Sequence, residues 1–519
     1  MVRQFSWARL AVCGDIALGM RTKIIVAAAL LLGLVAWDFV AATTFVGDDY
    51  LFLAFARLEP NPLVAFVRDM HGGEYYRPLP MLLWWLLNRV GQGAQWPFAL
   101  AGFLLHAGCA ALVVALGRGV GFTLRVSLAA GALFLIAPAQ REAALWFSAS
   151  TDLLATLATL AALVCLLLKS RGWQVASVAL AALAYFSKET GLVLPLLAVA
   201  TKWAASARQP EAANTGRRGA FTKWLRTCVA PVVPHMVLAA GYLAVRFAVL
   251  GGLGGTNDAV APWWGRGLQM AAGLFHAVTA YAPLPEVLAW LVGGGALVVA
   301  GVSVLRARTW FPVLWTLLAL LPLPAAGWLV GARYYYLPAV GLMLMLAWAA
   351  ESRGSAVVVV AVALLAAMGS GSTATRMAEV RRYRAVLAAA RDAVAQGARA
   401  GNTIFLVRNA VKDLDLALKL TSPVGRLPHP LLVIPDVPAS FVWMPDALAD
   451  RAHFLLARPP LPPAGAYRFG GQTIVGLARR EDAPDLDEVL ARLPELRFIE
   501  LVTDGRGQVT GRDRTESHR

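Results

Sequence analysis

The sequence predicts a polytopic α-helical membrane protein of about eleven transmembrane helices, followed by a C-terminal soluble α/β or α+β domain. Three observations predict it. Of 519 residues, 58% are hydrophobic and only 15% charged, more apolar material than a soluble core of this length needs. Apolar runs of spanning or near-spanning length recur from residue 24 to residue 372, separated by charged loops. Beyond Arg376 the composition shifts: 17 of the 31 acidic residues lie there, with short alternating runs at Thr403 to Val407 and Leu431 to Ile434 and a Pro-rich stretch.

The apolar runs fall at 24–46, 96–116, 126–142, 152–168, 173–187, 190–203, 229–248, 286–305, 310–328, 335–350 and 355–372. The first is long enough to span and leads straight into an acidic loop, so it reads as a membrane helix and not as a cleaved signal. Two shorter segments, Pro80 to Val90 and Leu268 to Ala282, read as helices lying in the interface, where their Trp, Tyr and Arg side chains suit the headgroup region. Of the 26 basic residues before Arg376, 17 fall on one side, which the positive-inside rule makes cytoplasmic. That places the first outer loop, residues 47–95, and the soluble domain, residues 376–519, on the extracytoplasmic side of the cytoplasmic membrane.

The net charge of +16 follows from those inner loops and needs no nucleic acid, since no basic-aromatic patch accompanies it. Four cysteines, Cys13, Cys109, Cys165 and Cys228, form no CxxC pair and read as packing residues. No P-loop or GxGxxG followed by a helix supports a nucleotide donor.

The acidic residues of the membrane part gather on the outer face. Asp48 and Asp49 sit where the first span ends, and carboxylates at a bilayer boundary are costly unless solvated or used. Arg77, between Tyr76 and Pro78, presents a planar guanidinium before an interfacial helix, suited to a phosphate. Glu142 and Asp152 bracket the second outer loop, with Arg141 as an ordinary ion-pair partner. Lys188 and Glu189 lie between two runs joined by almost no loop, which forces them to the membrane surface or into a cavity. Arg333, with Tyr334, Tyr335 and Tyr336, repeats the pattern of a cation among aromatic residues at an outer helix end. His71 and Glu74 are near the acidic pair in sequence, so a divalent cation near Asp48 and His71 is the one cofactor candidate, although no His/Cys ligand spacing assigns a metal there. His106, His235 and His276 lie on apolar helices and read as core residues.

Taken in order, Asp48-Asp49 after the first span, Tyr76-Arg-Pro-Leu79, Pro138-x-x-x-Glu142-Ala with Asp152-Leu-Leu154, Ser187-Lys-Glu189 with Pro195, and Arg333-Tyr-x-Tyr-Leu-Pro338 resemble the GT-C glycosyltransferases. The resemblance is to the protein O-mannosyltransferase-like and TMTC-type members, without the tetratricopeptide repeats of the latter, and covers roughly residues 20–350. It implies an inverting transferase that takes a sugar from a polyprenyl-phosphate donor. Asp48 then matches the base, Asp49 a supporting acid, and Arg77, Lys188 and Arg333 the phosphate contacts. With the readings above, the candidate catalytic residues are Asp48, Asp49 and Glu142, and the candidate substrate contacts are Tyr76, Arg77, Asp152, Lys188, Glu189, Arg333 and Tyr335. The acceptor is a glycan, a lipid or a protein. A transporter or lipid flippase would instead place charges near mid-helix and show an inverted repeat, and a non-catalytic scaffold remains open if Asp48 is dispensable.

Overall fold

The computed structural model describes residues 29–368 with gaps, chiefly 46–48, 70–74, 208–216, most of 255–285 and 323–331; beyond 368 it describes scattered helical positions and the backbone of seven strands. The membrane part is a bundle of helices: α1 (Ala29–Val40), α2 (Asp49–Leu58), α3 (Pro78–Gly91), α4 (Trp96–Gly119), α5 (Leu124–Ile136), α6 (Arg141–Leu145), α7 (Ser150–Leu167), α8 (Arg171–Ser187), α9 (Leu194–Ser206), α10 (Arg217–Trp224), α11 (Val233–Leu250), α12 (Glu286–Arg306), α13 (Phe311–Leu320), α14 (Ala339–Glu351) and α15 (Val359–Met368).

Local sequence sets the ends of these helices. Thr123 caps α5 by accepting the Val126 amide at 3.2 Å. Prolines occupy the first turns of α3, α4, α9 and α13, where the missing N–H is not needed. Gly251, at φ 69°, closes α11 in the left-handed conformation.

Among the described residues, three helices are long and apolar enough to cross a membrane: Trp96–Gly119, Phe147–Leu167 and Phe221–Leu250. The pair Leu124–Ile136 and Pro138–Leu145 meets the same test only when taken together, as a broken span or a re-entrant loop, and is bent by 55° at Pro138, which cannot continue the helix before it. α3 is a 14-residue helix, as expected for the segment from Pro80, and at ~1.5 Å per residue it is too short to span. The segment from Leu268 to Ala282 lies almost wholly outside the described residues.

One core cluster runs through α1, α4, α5, α7, α8, α9, α11, α13 and α14. Within it α7 packs on α4 and α8, α4 on α5, α5 on α14, and α14 on α13. Gly341 makes the last contact possible, since a Cβ there would stand 2.5 Å from the Pro312 carbonyl oxygen. Large apolar side chains such as Leu104, Val237, Phe247, Leu291 and Val298 face outward, a surface suited to lipid. Among the described residues Cys109, Cys165 and Cys228 are buried and unbridged.

Seven strands are described between residues 403 and 513. β1 (Thr403–Arg408), β2 (Leu431–Val433), β6 (Arg497–Thr503) and β7 (Val509–Asp513) form one sheet in the order β2-β1-β6-β7, with β1 parallel to both neighbours and β7 antiparallel to β6. β3 (Ser440–Pro445), β4 (Ala466–Phe469) and β5 (Gln472–Leu477) form an antiparallel sheet in the order β3-β5-β4.

Candidate functional site

A cavity of about 610 Å³ opens among the ends of α7, α8, α9 and α11 and the turn at 332–335. Its polar lining comes from segments far apart in sequence: Arg77 before α3, Asp152 in the first turn of α7, Lys188 and Glu189 after α8, Arg246 near the end of α11, and Arg333 with Tyr334. Phe52, Leu192, Leu196 and Leu243 supply apolar wall.

The charges are paired in a definite order. Lys188 Nζ lies 2.7 and 2.6 Å from the two Asp152 carboxylate oxygens. Glu189 holds two arginines at once: Arg77 donates through Nε and Nη2 to Oε2 at 3.1 and 2.8 Å, and Arg246 Nη1 donates to Oε1 at 2.7 Å. Glu142 receives both the Arg333 amide, at 3.2 Å, and its guanidinium, at 3.1 Å. The Arg333 guanidinium also stacks over Trp146, 4.2 Å from the ring centroid, and Lys188 Nζ is 5.1 Å from the Tyr334 ring. Arg141 is spent elsewhere, on Asp38 of α1. The pairing of Glu142 or Asp152 with Arg141 expected from sequence is therefore replaced by pairs with Arg333 and Lys188. Adjacent helical residues diverge, so Arg141 and Glu142 reach opposite ways.

The tight turn between α8 and α9 is what places Lys188 and Glu189. Lys188 leaves α8 in an extended conformation, and Gly191 comes so close to the preceding helix that a Cβ would sit 2.7 Å from the Ala184 carbonyl oxygen. Burial, opposed by Asp152 and reinforced by Arg77 and Arg333, lowers Lys188 to about 8. Burial would raise Glu189, but Arg77 and Arg246 together outweigh it and hold the carboxyl at about 2.

Asp49, buried at the start of α2, accepts the Ser148 amide at 2.6 Å and so ties the start of α2 to the turn before α7. Asp48, His71 and Glu74 lie outside the described residues. Among the described residues no group of three His, Cys, Asp or Glu side chains could hold a metal. Tyr76 is buried, donating to the Phe66 carbonyl at 2.7 Å, while its own carbonyl accepts from the Tyr242 hydroxyl at 3.1 Å. It braces Arg77 from behind. Tyr335 turns into an apolar cluster with Ala300, Val304 and Leu342; its neighbour Tyr334 lines the cavity in its place.

No family model and no curated protein matches the chain.

Arg246 and Trp146 line the cavity without having been singled out in the sequence, and Tyr334, read there only as one of three tyrosines beside Arg333, takes the place expected of Tyr335. A lone arginine inside an otherwise apolar run was the available signal for the first of them.

Proposed function

We propose that this chain is an inverting glycosyltransferase of the GT-C type, moving a sugar from a polyprenyl-phosphate donor to an acceptor hydroxyl at the outer face of the cytoplasmic membrane. The observation that supports it best is the convergence of Arg77, Lys188, Arg246 and Arg333 on one cavity whose remaining walls are largely apolar. A phosphate with a long hydrocarbon tail asks for that combination. In this reading Asp48 takes the proton of the acceptor hydroxyl, whose oxygen attacks the anomeric carbon from the face opposite the phosphate. The C–O bond to phosphate breaks, and the departing lipid phosphate is held by the cations. Glu189, Asp152 and Glu142 keep those cations aimed before substrate arrives.

The same reading takes about eleven segments as crossing the membrane and residues 376–519 as a soluble extracytoplasmic domain, its two sheets serving an acceptor glycan, lipid or protein. A transporter would carry charge deep in its spans. Arg246, a buried charge inside an apolar run, lies four residues before Leu250, the end of α11.

Mass spectrometry of lipid-linked sugars and surface glycans in cells lacking the protein tests the proposal. One polyprenyl-phosphate sugar should accumulate while one modification disappears, naming donor and acceptor together; unchanged profiles of both would refute it.

The lysine gives a second test. Lys188 loses its charge as pH rises through about 8, well before an ordinary lysine at 10.5, so transfer should fall along an alkaline limb near that value. Stability moves the other way: the unfolded chain holds this proton more firmly, so folding gains as pH climbs from about 8 to 10.5. Lys188→Arg, which does not titrate there, should remove the limb up to roughly pH 10. A limb unmoved by the substitution assigns it to another group.

A further inference from the structure

His106 lies in the middle of α4, buried and outside the cavity lining, yet both of its ring nitrogens are engaged. Nε2 is 3.0 Å from the Leu135 carbonyl oxygen, and Nδ1 is 2.6 Å from the Tyr336 hydroxyl. A carbonyl can only accept, so Nε2 carries the hydrogen; Nδ1 is then bare and accepts the Tyr336 O–H.

The two partners belong to the two segments that meet at Arg333. Leu135 is one residue from the end of α5, where the 55° bend at Pro138 leaves carbonyls without helical donors. Beyond that bend the chain runs to Glu142, the partner of Arg333. Tyr336 is joined to Arg333 directly, its amide donating to the Arg333 carbonyl at 3.0 Å. The imidazole thus closes behind the site the same junction that Glu142 and Arg333 close inside it.

We propose that His106 is a positioning residue that, through Tyr336, fixes the turn carrying Arg333 and Tyr334 against the bent α5–α6 pair. The inference rests on the reading of the cavity as the working site, but its test needs no substrate.

Hydrogen exchange on the purified full chain in nanodiscs reads the turn directly, because the Arg333 and Tyr336 amides donate to Glu142 and to the Arg333 carbonyl respectively. Tyr336→Phe should speed exchange of peptides covering 332–337 by about tenfold, the size expected when a buried acceptor is left unpaired. His106→Gln, whose amide reaches toward Leu135 but not Tyr336, should do the same, and the double variant should add nothing further. His106→Asn, with a polar atom near the Nδ1 position, should restore protection. The proposal is overturned if Tyr336→Phe leaves these amides at the wild-type rate, if the two single effects add, if His106→Asn exchanges as fast as His106→Gln, or if exchange rises equally throughout the bundle. A wild-type chain that transfers no sugar from any lipid donor would defeat the transferase reading and leave these rates as they are.

Discussion

Glu189→Gln is expected to cut transfer by roughly a hundredfold, the loss that misplacing aligned groups by about an ångström produces, and to lower the thermal midpoint of the detergent-solubilised protein. The carboxylate is the shared partner of Arg77 and Arg246, both of which are largely buried. Removing its charge leaves two guanidiniums with an amide that can accept from only one of them well. Breaking a fully buried pair costs ~3–5 kcal/mol; with the Glu189 side chain 25% exposed, about 2 kcal/mol is the fitting figure. Mild acid should not imitate the substitution. The folded carboxyl is held at about 2 against an ordinary 4.5, so the stabilisation is complete above about 4.5 and is lost only as pH falls through about 2. A thermal midpoint and turnover both at wild-type values would show that the arginines are held by something else.

Much of this site could be read from the sequence, for a physical reason. Arg77, Asp152, Lys188, Glu189 and Arg333 stand at the ends of apolar runs, where an ionised group must be solvated, paired or used. All five line one cavity, although they come from segments far apart in sequence.

What escaped is whatever depends on side-chain direction or on a break inside a run. Asp38 and Arg246 were absorbed into apolar runs 24–46 and 229–248, because a hydropathy window averages a single charge away. The partner of Glu142 was misread because a neighbour in sequence is not a neighbour on a helix. In the Arg333-Tyr334-Tyr335-Tyr336 stretch, a 3-10 turn sends three consecutive tyrosines to three environments: the cavity, the α12–α14 cluster and His106. Alternation of types could not have sorted them, since the types are identical. His106 reads as a core histidine, which its burial bears out, but its bond to the Leu135 carbonyl lies at the bend at Pro138, where the run 126–142 reads as one uninterrupted span. The strands after residue 400 fall where the alternating runs Thr403 to Val407 and Leu431 to Ile434 put the first two.

Asp48→Asn carries the second large effect and tests the central claim. A base that accepts the proton of the attacking hydroxyl contributes about a hundredfold to ten-thousandfold, and an amide cannot accept it. Asn keeps the size of the side chain and leaves Asp49, with its bond to the Ser148 amide, in place to hold the loop. The purified full chain and the variant should be incubated in nanodiscs with the polyprenyl-phosphate sugar found to accumulate in cells lacking the protein and with its acceptor, and the release of polyprenyl phosphate followed. The account predicts release by the wild type and a loss of about a thousandfold in the variant, with equal insertion and equal thermal midpoint; release by Asp48→Asn at a rate near that of the wild type would contradict it.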